Sequence, residues 1–390
     1  MSPQLHIIGI LVEQSPEKIG EIKSAFETVH YYPERDGPAP VDALRECEII
    51  MCRWSTLDSF TLKDVPNLKV IQLTSVSKLT ETAGVNAALT QKLYQDPGAF
   101  KQIQLCTASS GSSRKVCILT FAGMHVKTIP QYIIGQIITG NAIVGEKRWP
   151  AKEELFVTTL DHRSGRPDKS ICGKTAGMLG YGHIAREAAR VLKAMNVNII
   201  AANSRGCRQT DDGCLLWLRG LVSQSQYILD GTGDKEGIIP TAYYRTDDPD
   251  SFEEFLSKSD ILICSLPSTR ATEWLLTKAR LSCLPTGAVL MNAEGISFAA
   301  YRILLTEADD LISVLDAPNG LWGAVLDVTD PEPPPDGHPL FSHPRIIVTP
   351  HTSGEFDGYY DAATDLMLAQ VRNIRAGGKP WNLVDPERGY

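Results

Sequence analysis

Residues 177–185 read GMLGYGHIA, which places a G-x-G-x-x-A motif between a short apolar run and an amphipathic pattern that continues to about residue 195. In such a motif Gly180 would make the tight turn and Gly182 would let a pyrophosphate approach the backbone. Ala185 would allow close packing of the helix on the strand, with the helix amino end directed at the anion. The stretch therefore predicts a βαβ unit that binds a dinucleotide.

The strand predicted at 197–202 ends where an NAD-binding protein would carry an acidic residue for the ribose hydroxyls. Here that residue is Asn203, followed by Ser204 and Arg205, with Arg208 just beyond. Asparagine removes a charge that would repel a 2′-phosphate, and the guanidinium groups could bind one. The sequence thus favours NADP(H), while NAD(H) stays possible if both arginines are only solvated loop residues.

Apolar runs typical of strands alternate with helical patterns on both sides of this motif, which is typical of parallel α/β sheets. In the first half we predict strands at 5–12, 48–52 and 68–73 and a helix from Ser15-Pro16 to about Val29. In the second half we predict six strands, at 175–179, 197–202, 261–266, 288–292, 324–328 and 346–349. Two further helices are predicted at about 129–144 and 359–374. Six strands with intervening helices suit a doubly wound sheet.

Length and charge limit the class of protein. A chain of 390 residues is long enough for two to three domains at about 150 residues each. The net charge is −8 and no block of like charges occurs, so we expect no nucleic-acid or membrane-surface partner. No apolar run reaches the roughly 18 residues of a membrane helix, and no cationic leader is visible. Nine cysteines without a CxxC or metal spacing are expected to be reduced, as in a cytoplasmic protein.

Several separate stretches carry a resemblance to a known family. They read AGMHV at 122–126, PQY at 130–132, CSLPST at 264–269, LDVTDPEP at 326–333 and VTPHTSG at 348–354. In this order they resemble the D-isomer-specific 2-hydroxyacid dehydrogenases, particularly their fungal branch, from about residue 49 to the end of the chain. The resemblance implies two Rossmann-like domains: a discontinuous substrate domain formed by 1–127 and 353–390, and an NAD(P)-binding domain at 128–352.

The resemblance also implies hydride transfer between a nicotinamide and a small 2-oxoacid or hydroxyacid, in a homodimer that associates through the cofactor domain. His351 and Glu332 fall on the family's acid–base pair, and Asp327 falls on the position that contacts the nicotinamide carboxamide. The remaining cofactor contacts that it implies are His183, Ile184, Leu266, Pro267, Thr269, Asn292 and Gly354.

The chemistry of the acid–base pair agrees with this assignment. Hydride delivered to a carbonyl carbon leaves an alkoxide that must be protonated, and an imidazolium is a suitable donor. A carboxylate such as Glu332 beside His351 would stabilise the charged ring and keep its proton available near neutral pH.

Two departures from the family pattern affect the predicted substrate site. The family's Asn-x-x-Arg-Gly, whose arginine holds the substrate carboxylate, reads here as Asn292-Ala293-Glu294-Gly295, with one residue fewer and glutamate in place of arginine. The glycine loop that offers amides to the same carboxylate reads as Ser75-Val76-Ser77. Both halves of the carboxylate site are therefore altered, and activity on simple 2-oxoacids is in doubt.

Three segments, at 111–121, 207–229 and 310–322, look inserted relative to the family, either as true loops or as errors in the gene model. The altered site leaves three functions open. The first is an NADP(H)-dependent reductase of 2-oxoacids, and the second is a reductase of ketones that lack a carboxylate. The third is a catalytically impaired NAD(P)H-binding scaffold or sensor, resembling the C-terminal-binding co-repressors.

Overall fold

The computed structural model describes most of the chain outside four longer segments. The described residues are 5–53, 56, 60, 64–74, 117–119, 123–143, 170–207, 209–210, 213–214, 229–266, 272, 274–293, 308–329, 331–378 and 380–381. Among their helices, none is long and apolar enough to cross a membrane.

Five parallel strands form the first sheet of the described region, in the order β2-β1-β3-β4-β5. Their bounds are Ile7–Ile10 (β1), Thr28–Tyr31 (β2), Ile49–Cys52 (β3), Val70–Leu73 (β4) and Cys117–Leu119 (β5). All residues of β3 and β4 are buried, which explains their continuous apolar sequence. The last helix, Tyr359–Arg375, packs through Ala363, Leu366 and Met367 onto the core of this sheet.

The second sheet has seven parallel strands in the order β10-β7-β6-β11-β12-β13-β14. These are Thr175–Leu179 (β6), Asn198–Asn203 (β7), Tyr243–Arg245 (β10), Ile261–Cys264 (β11), Val289–Asn292 (β12), Gly323–Leu326 (β13) and Ile346–Val348 (β14). A separate antiparallel ribbon joins Gln209–Thr210 (β8) and Gly213–Cys214 (β9). The two parallel sheets confirm the predicted α/β class.

Helices connect the strands, and two of them begin after a capping residue that the sequence supplies. Ser15 caps the first helix by accepting from Lys18 N, and Asp248 caps another by accepting from Ser251 N, each with proline next. The helices are Pro16–Ala25, Val41–Leu44, Ile129–Ile143, His183–Ala194, Pro249–Ser257, Lys278–Leu281, Ala308–Asp316, Pro339–Ser342 and Tyr359–Arg375, with 3₁₀ turns at Glu34–Asp36 and Met124–Lys127.

Three expectations were wrong. The first helix ends at Ala25, and Thr28–Tyr31 pairs with β1 instead of continuing the helix. The second sheet has seven strands, because Tyr243–Arg245 adds an edge strand beside β7. Cys207 is disulfide-bonded, so not every cysteine is reduced.

The insertion of segment 310–322 relative to the family stays a prediction. The segment overlaps the helix Ala308–Asp316, which buries Leu311, Val314 and Leu315 in the core.

Candidate active site

Those residues of the predicted site that the structure describes lie mostly at the carboxyl edge of the seven-stranded sheet. The register aligns Leu179 with Cys264, Cys264 with Asn292, Asn292 with Leu326, and Leu326 with Val348. Each strand therefore ends at the same level, and the loops that follow the strands lie side by side. Such an edge is where open parallel sheets bind their ligands.

The glycine-rich loop directly follows β6 at this edge of the sheet. Gly180 has φ +89°, and a Cβ there would lie 2.9 Å from the backbone oxygen of Ser265, so both conformation and space require glycine. Gly182 is the N-cap of the helix His183–Ala194, and no side chain of the described residues caps it. A Cβ on Gly182 would meet nothing within 4 Å. The open space beside uncapped helix amides fits a pyrophosphate.

The turn after β7 is built by Asn203. Its side-chain oxygen accepts from Arg205 N at 2.8 Å and from Gly206 N at 2.7 Å, while Nδ2 donates to Cys207 O at 3.0 Å. Asn203 is buried, whereas Ser204 and Arg205 are exposed. Asn203 therefore holds the turn that presents Arg205, a role that sequence position alone does not reveal. Arg208 lies outside the described residues.

Asn292 is the last residue of β12, in the middle of this edge. It is 5% exposed, and its Oδ1 accepts no hydrogen bond within the described part of the chain. A buried polar atom of this kind normally has a partner, so the position suits a ligand group. Leu266, half-buried, follows β11 on the same edge. The predicted residues Pro267, Thr269, Glu294, Ser75, Val76 and Ser77 lie outside the described residues.

The predicted acid–base pair is in contact. His351 Nδ1 lies 2.8 Å from Glu332 Oε1, with side-chain exposures of 31% and 17%. The second carboxylate oxygen of Glu332 accepts from Thr329 N at 3.5 Å. Because Glu332 engages Nδ1, the ring atom left to exchange a proton with a ligand is Nε2.

Asp327 holds the loop that carries His351. It is 1% exposed, and it accepts hydrogen bonds from Thr352 N and Ser353 N, both at 3.1 Å, and from the Thr349 hydroxyl. Tyr132 in turn bonds Thr349 Oγ1 at 2.7 Å. His351 itself has φ +57°, an uncommon conformation for a residue with a side chain. The hydrogen bonds to Asp327 compensate that strain.

A second histidine of the site was not predicted. His125 is 7% exposed and its Nε2 lies 3.4 Å from the Tyr359 hydroxyl, which donates to Thr74 O at 2.8 Å. A Cβ on Gly354 would lie 2.9 Å from His125 Cδ2, so the loop after His351 packs directly on this ring. The motif that contains His125 is visible in the sequence, but nothing there indicates that the fold brings it beside His351.

Two histidines are held neutral by their surroundings. Burial, with the nearby His351 as a second cause, lowers the pKa of His125 to about 4. Burial, with the charge of Arg186, lowers the pKa of His183 in the glycine-rich loop to about 4 as well. His125 therefore stays uncharged near neutral pH and adds no positive charge next to His351.

Comparisons with known proteins show the family and the fold. A family model described as "D-isomer specific 2-hydroxyacid dehydrogenase, NAD binding domain" matches residues 135–230 and 233–353. A Haemophilus influenzae protein provisionally named a 2-hydroxyacid dehydrogenase is 23% identical over 371 residues, covering 92% of this chain and 93% of its own length.

Two solved structures share the fold. A D-isomer specific 2-hydroxyacid dehydrogenase family protein of Aeromonas salmonicida superposes with TM-score 0.62 at 18% identity, covering 98% of this chain and 100% of its own. A D-isomer specific 2-hydroxyacid dehydrogenase of Xanthobacter autotrophicus, in complex with NADPH and MES, superposes with TM-score 0.60 at 19% identity, covering 99% of this chain and 100% of its own.

Proposed function

We propose that this chain, which belongs to the D-isomer specific 2-hydroxyacid dehydrogenase family, is an NADP(H)-dependent oxidoreductase acting on a small carbonyl or hydroxyacid substrate. The observation that carries the proposal is the 2.8 Å contact between His351 and Glu332 on the same sheet edge as the glycine-rich loop. An acid–base pair beside a dinucleotide loop is the arrangement that carbonyl reduction requires.

Each of the described site residues has its own role in the proposed reaction. The hydride for the carbonyl carbon would come from a nicotinamide bound at this sheet edge. His351 donates the proton from Nε2 to the carbonyl oxygen, and Glu332 stabilises the imidazolium through Nδ1. Asp327 keeps the histidine loop in place through its three hydrogen bonds. The glycine-rich loop and helix amides would hold the pyrophosphate.

Activity assays on purified protein test the proton donor. We expect His351→Ala to lose about 10²–10⁴-fold in turnover while it still binds cofactor. His6→Gln is the matched control, because His6 is an exposed histidine paired with Glu27 on the surface. An unchanged rate in His351→Ala would remove the pair from the mechanism.

The NADP(H) preference rests on the Asn203 turn, which presents Arg205 without an acidic residue at the end of β7. A bidentate phosphate contact contributes on the order of 1.5–3 kcal/mol, which corresponds to roughly ten- to hundredfold in affinity. Titration of intrinsic tryptophan fluorescence with NADPH and with NADH measures the preference directly. Tighter binding of NADH would contradict it.

We propose further that Glu294 disfavours small 2-oxoacids. If Glu294 is ionised and occupies the place of the family's arginine, it and a substrate carboxylate about 4 Å away repel by roughly 4 kcal/mol at an effective dielectric of 20. That energy is about three decades in kcat/KM. Neutral or cationic carbonyl compounds would avoid this repulsion. A panel of glyoxylate, hydroxypyruvate and neutral ketones tests the idea, and ordinary turnover of a small 2-oxoacid would contradict it.

The scaffold or sensor remains the second candidate, because the altered substrate site would suit a protein that binds NAD(P)H without turnover. Inactivity on every carbonyl compound, combined with tight cofactor binding, would favour it. A homodimer through the cofactor domain, and a division at residues 127/128 and 352/353, also remain proposals, which sedimentation and limited proteolysis test.

A further inference from the structure

We propose that Arg245 is a second residue that recognises the 2′-phosphate of NADP(H), and that Asp247 competes with this phosphate for the same guanidinium. The inference rests on the proposed NADP(H) preference and extends it to an edge strand that the sequence did not predict.

The strand register places Arg245 at the cofactor edge. β10 runs parallel to β7, with Arg245 opposite Asn203, and Thr246 N donates to Asn203 O at 3.1 Å. The two strands therefore end at the same level. Arg245 emerges beside the turn whose first residue occupies the position that selects between ribose hydroxyls and a 2′-phosphate.

The turn packs directly on the stem of Arg245. Gly206 has φ +62°, and a Cβ there would collide with Cγ of Arg245. Asn203 fixes Gly206 and Arg205 together through their backbone amides. Arg205 and Arg245 thus belong to one rigid surface unit, in which only glycine at position 206 allows the close approach of the arginine side chain.

In this structure Arg245 pairs with Asp247, whose carboxylate accepts from the same guanidinium donors that a phosphate would use. Asp247 accepts from Nε at 2.9 Å and from Nη2 at 2.7 Å, a bidentate pair in which the two side chains are 52% and 51% exposed. A 2′-phosphate offers more charge and a third acceptor oxygen, so it is the stronger partner for the same guanidinium. Since an exposed ion pair is weak in water, exchange of partners costs little. The 2′-hydroxyl of NAD(H) cannot drive that exchange.

The test uses Arg245→Gln and Asp247→Asn, titrated with NADPH, NADH, 2′,5′-ADP and 5′-AMP, so that binding is measured without turnover. We expect Arg245→Gln to weaken NADPH and 2′,5′-ADP by about tenfold and to leave NADH and 5′-AMP unchanged. Asp247→Asn should tighten NADPH and 2′,5′-ADP by about threefold, because the competing carboxylate charge is removed. Glu254→Gln is the matched control, since Glu254 forms a similar exposed pair with Lys258 at the far end of the next helix.

Three results would overturn the inference. The first is an unchanged NADPH affinity in Arg245→Gln, and the second is an equal loss for NADPH and NADH, which would indicate a contact with the adenine. The third is weaker NADPH binding in Asp247→Asn. If the wild-type protein does not prefer 2′,5′-ADP over 5′-AMP, the proposed cofactor preference fails together with the inference. If that preference persists undiminished in Arg245→Gln, only the role of Arg245 fails.

Discussion

Replacing His125 with glutamine should change how the stability of the protein depends on pH. The pKa of this buried histidine is lowered to about 4, against 6.5 for an unperturbed ring. Between these values the unfolded chain binds a proton that the folded protein excludes. The contribution of neutral His125 to the free energy of unfolding is therefore fully present above pH 6.5 and is lost as the pH falls towards 4.

The size of the effect follows from the two pKa values. At pH 5.0 the unfolded imidazole is almost fully protonated and the folded one is almost fully neutral. The linkage relation then gives a loss of about 2 kcal/mol at pH 5.0 relative to pH 7.5. No correction for solvent screening is needed, because the side chain is 7% exposed.

The assay is urea unfolding of the wild-type protein and His125→Gln at pH 7.5 and 5.0. Other groups that titrate between these values contribute to both proteins and cancel in the double difference. Between pH 7.5 and pH 5.0 the free energy of unfolding of the wild-type protein should fall by about 2 kcal/mol more than that of the variant. His6→Gln is the control for the removal of a surface histidine, which pairs with Glu27. Equal losses in wild-type and His125→Gln would refute the conclusion that the fold holds His125 neutral.

Three further variants test the site. Glu332→Gln should lower turnover while it leaves cofactor affinity nearly unchanged, because the imidazolium of His351 loses its carboxylate partner; unchanged turnover would contradict this. Asp327→Asn should lower turnover far more than cofactor affinity, since an amide group would face the backbone N–H groups of the histidine loop at a cost of about 1–3 kcal/mol. Equal effects on turnover and affinity would count against the conclusion that Asp327 positions this loop. Gly180→Ala should destabilise the fold by about 1–3 kcal/mol and weaken cofactor binding in titrations, because its φ is +89° and Ser265 O leaves no space; wild-type behaviour would exclude the turn from the site.

The glycine-rich loop could be predicted because its requirements are local. The positive φ of Gly180 and the close packing of Ala185 each depend on one residue type in one short segment. The parallel strands could be predicted for a similar reason, since β11 and β13 are buried on every residue and read as continuous apolar runs.

Two of the edge strands, β2 and β10, could not be predicted in this way. β2 is only half-buried, and β10 has one buried residue of three, so neither shows the apolar run of a central strand. Their pairing depends on β1 and β7, which are distant in sequence. The same limit applies to His125, which contacts Gly354 and Tyr359 from a distant part of the chain.

The two carboxylates around His351 show why a motif match alone does not assign chemical roles. Asp327 is 1% exposed and is fully engaged with backbone amides and the Thr349 hydroxyl, so its charge is already compensated. Glu332 keeps 17% exposure and directs one oxygen to the ring nitrogen of His351. When the imidazole gains a proton, only Glu332 is placed to stabilise the new charge through a direct contact with the ring. The structure therefore separates a carboxylate that fixes the loop from one that contacts the ring of His351, although both follow the same strand in sequence.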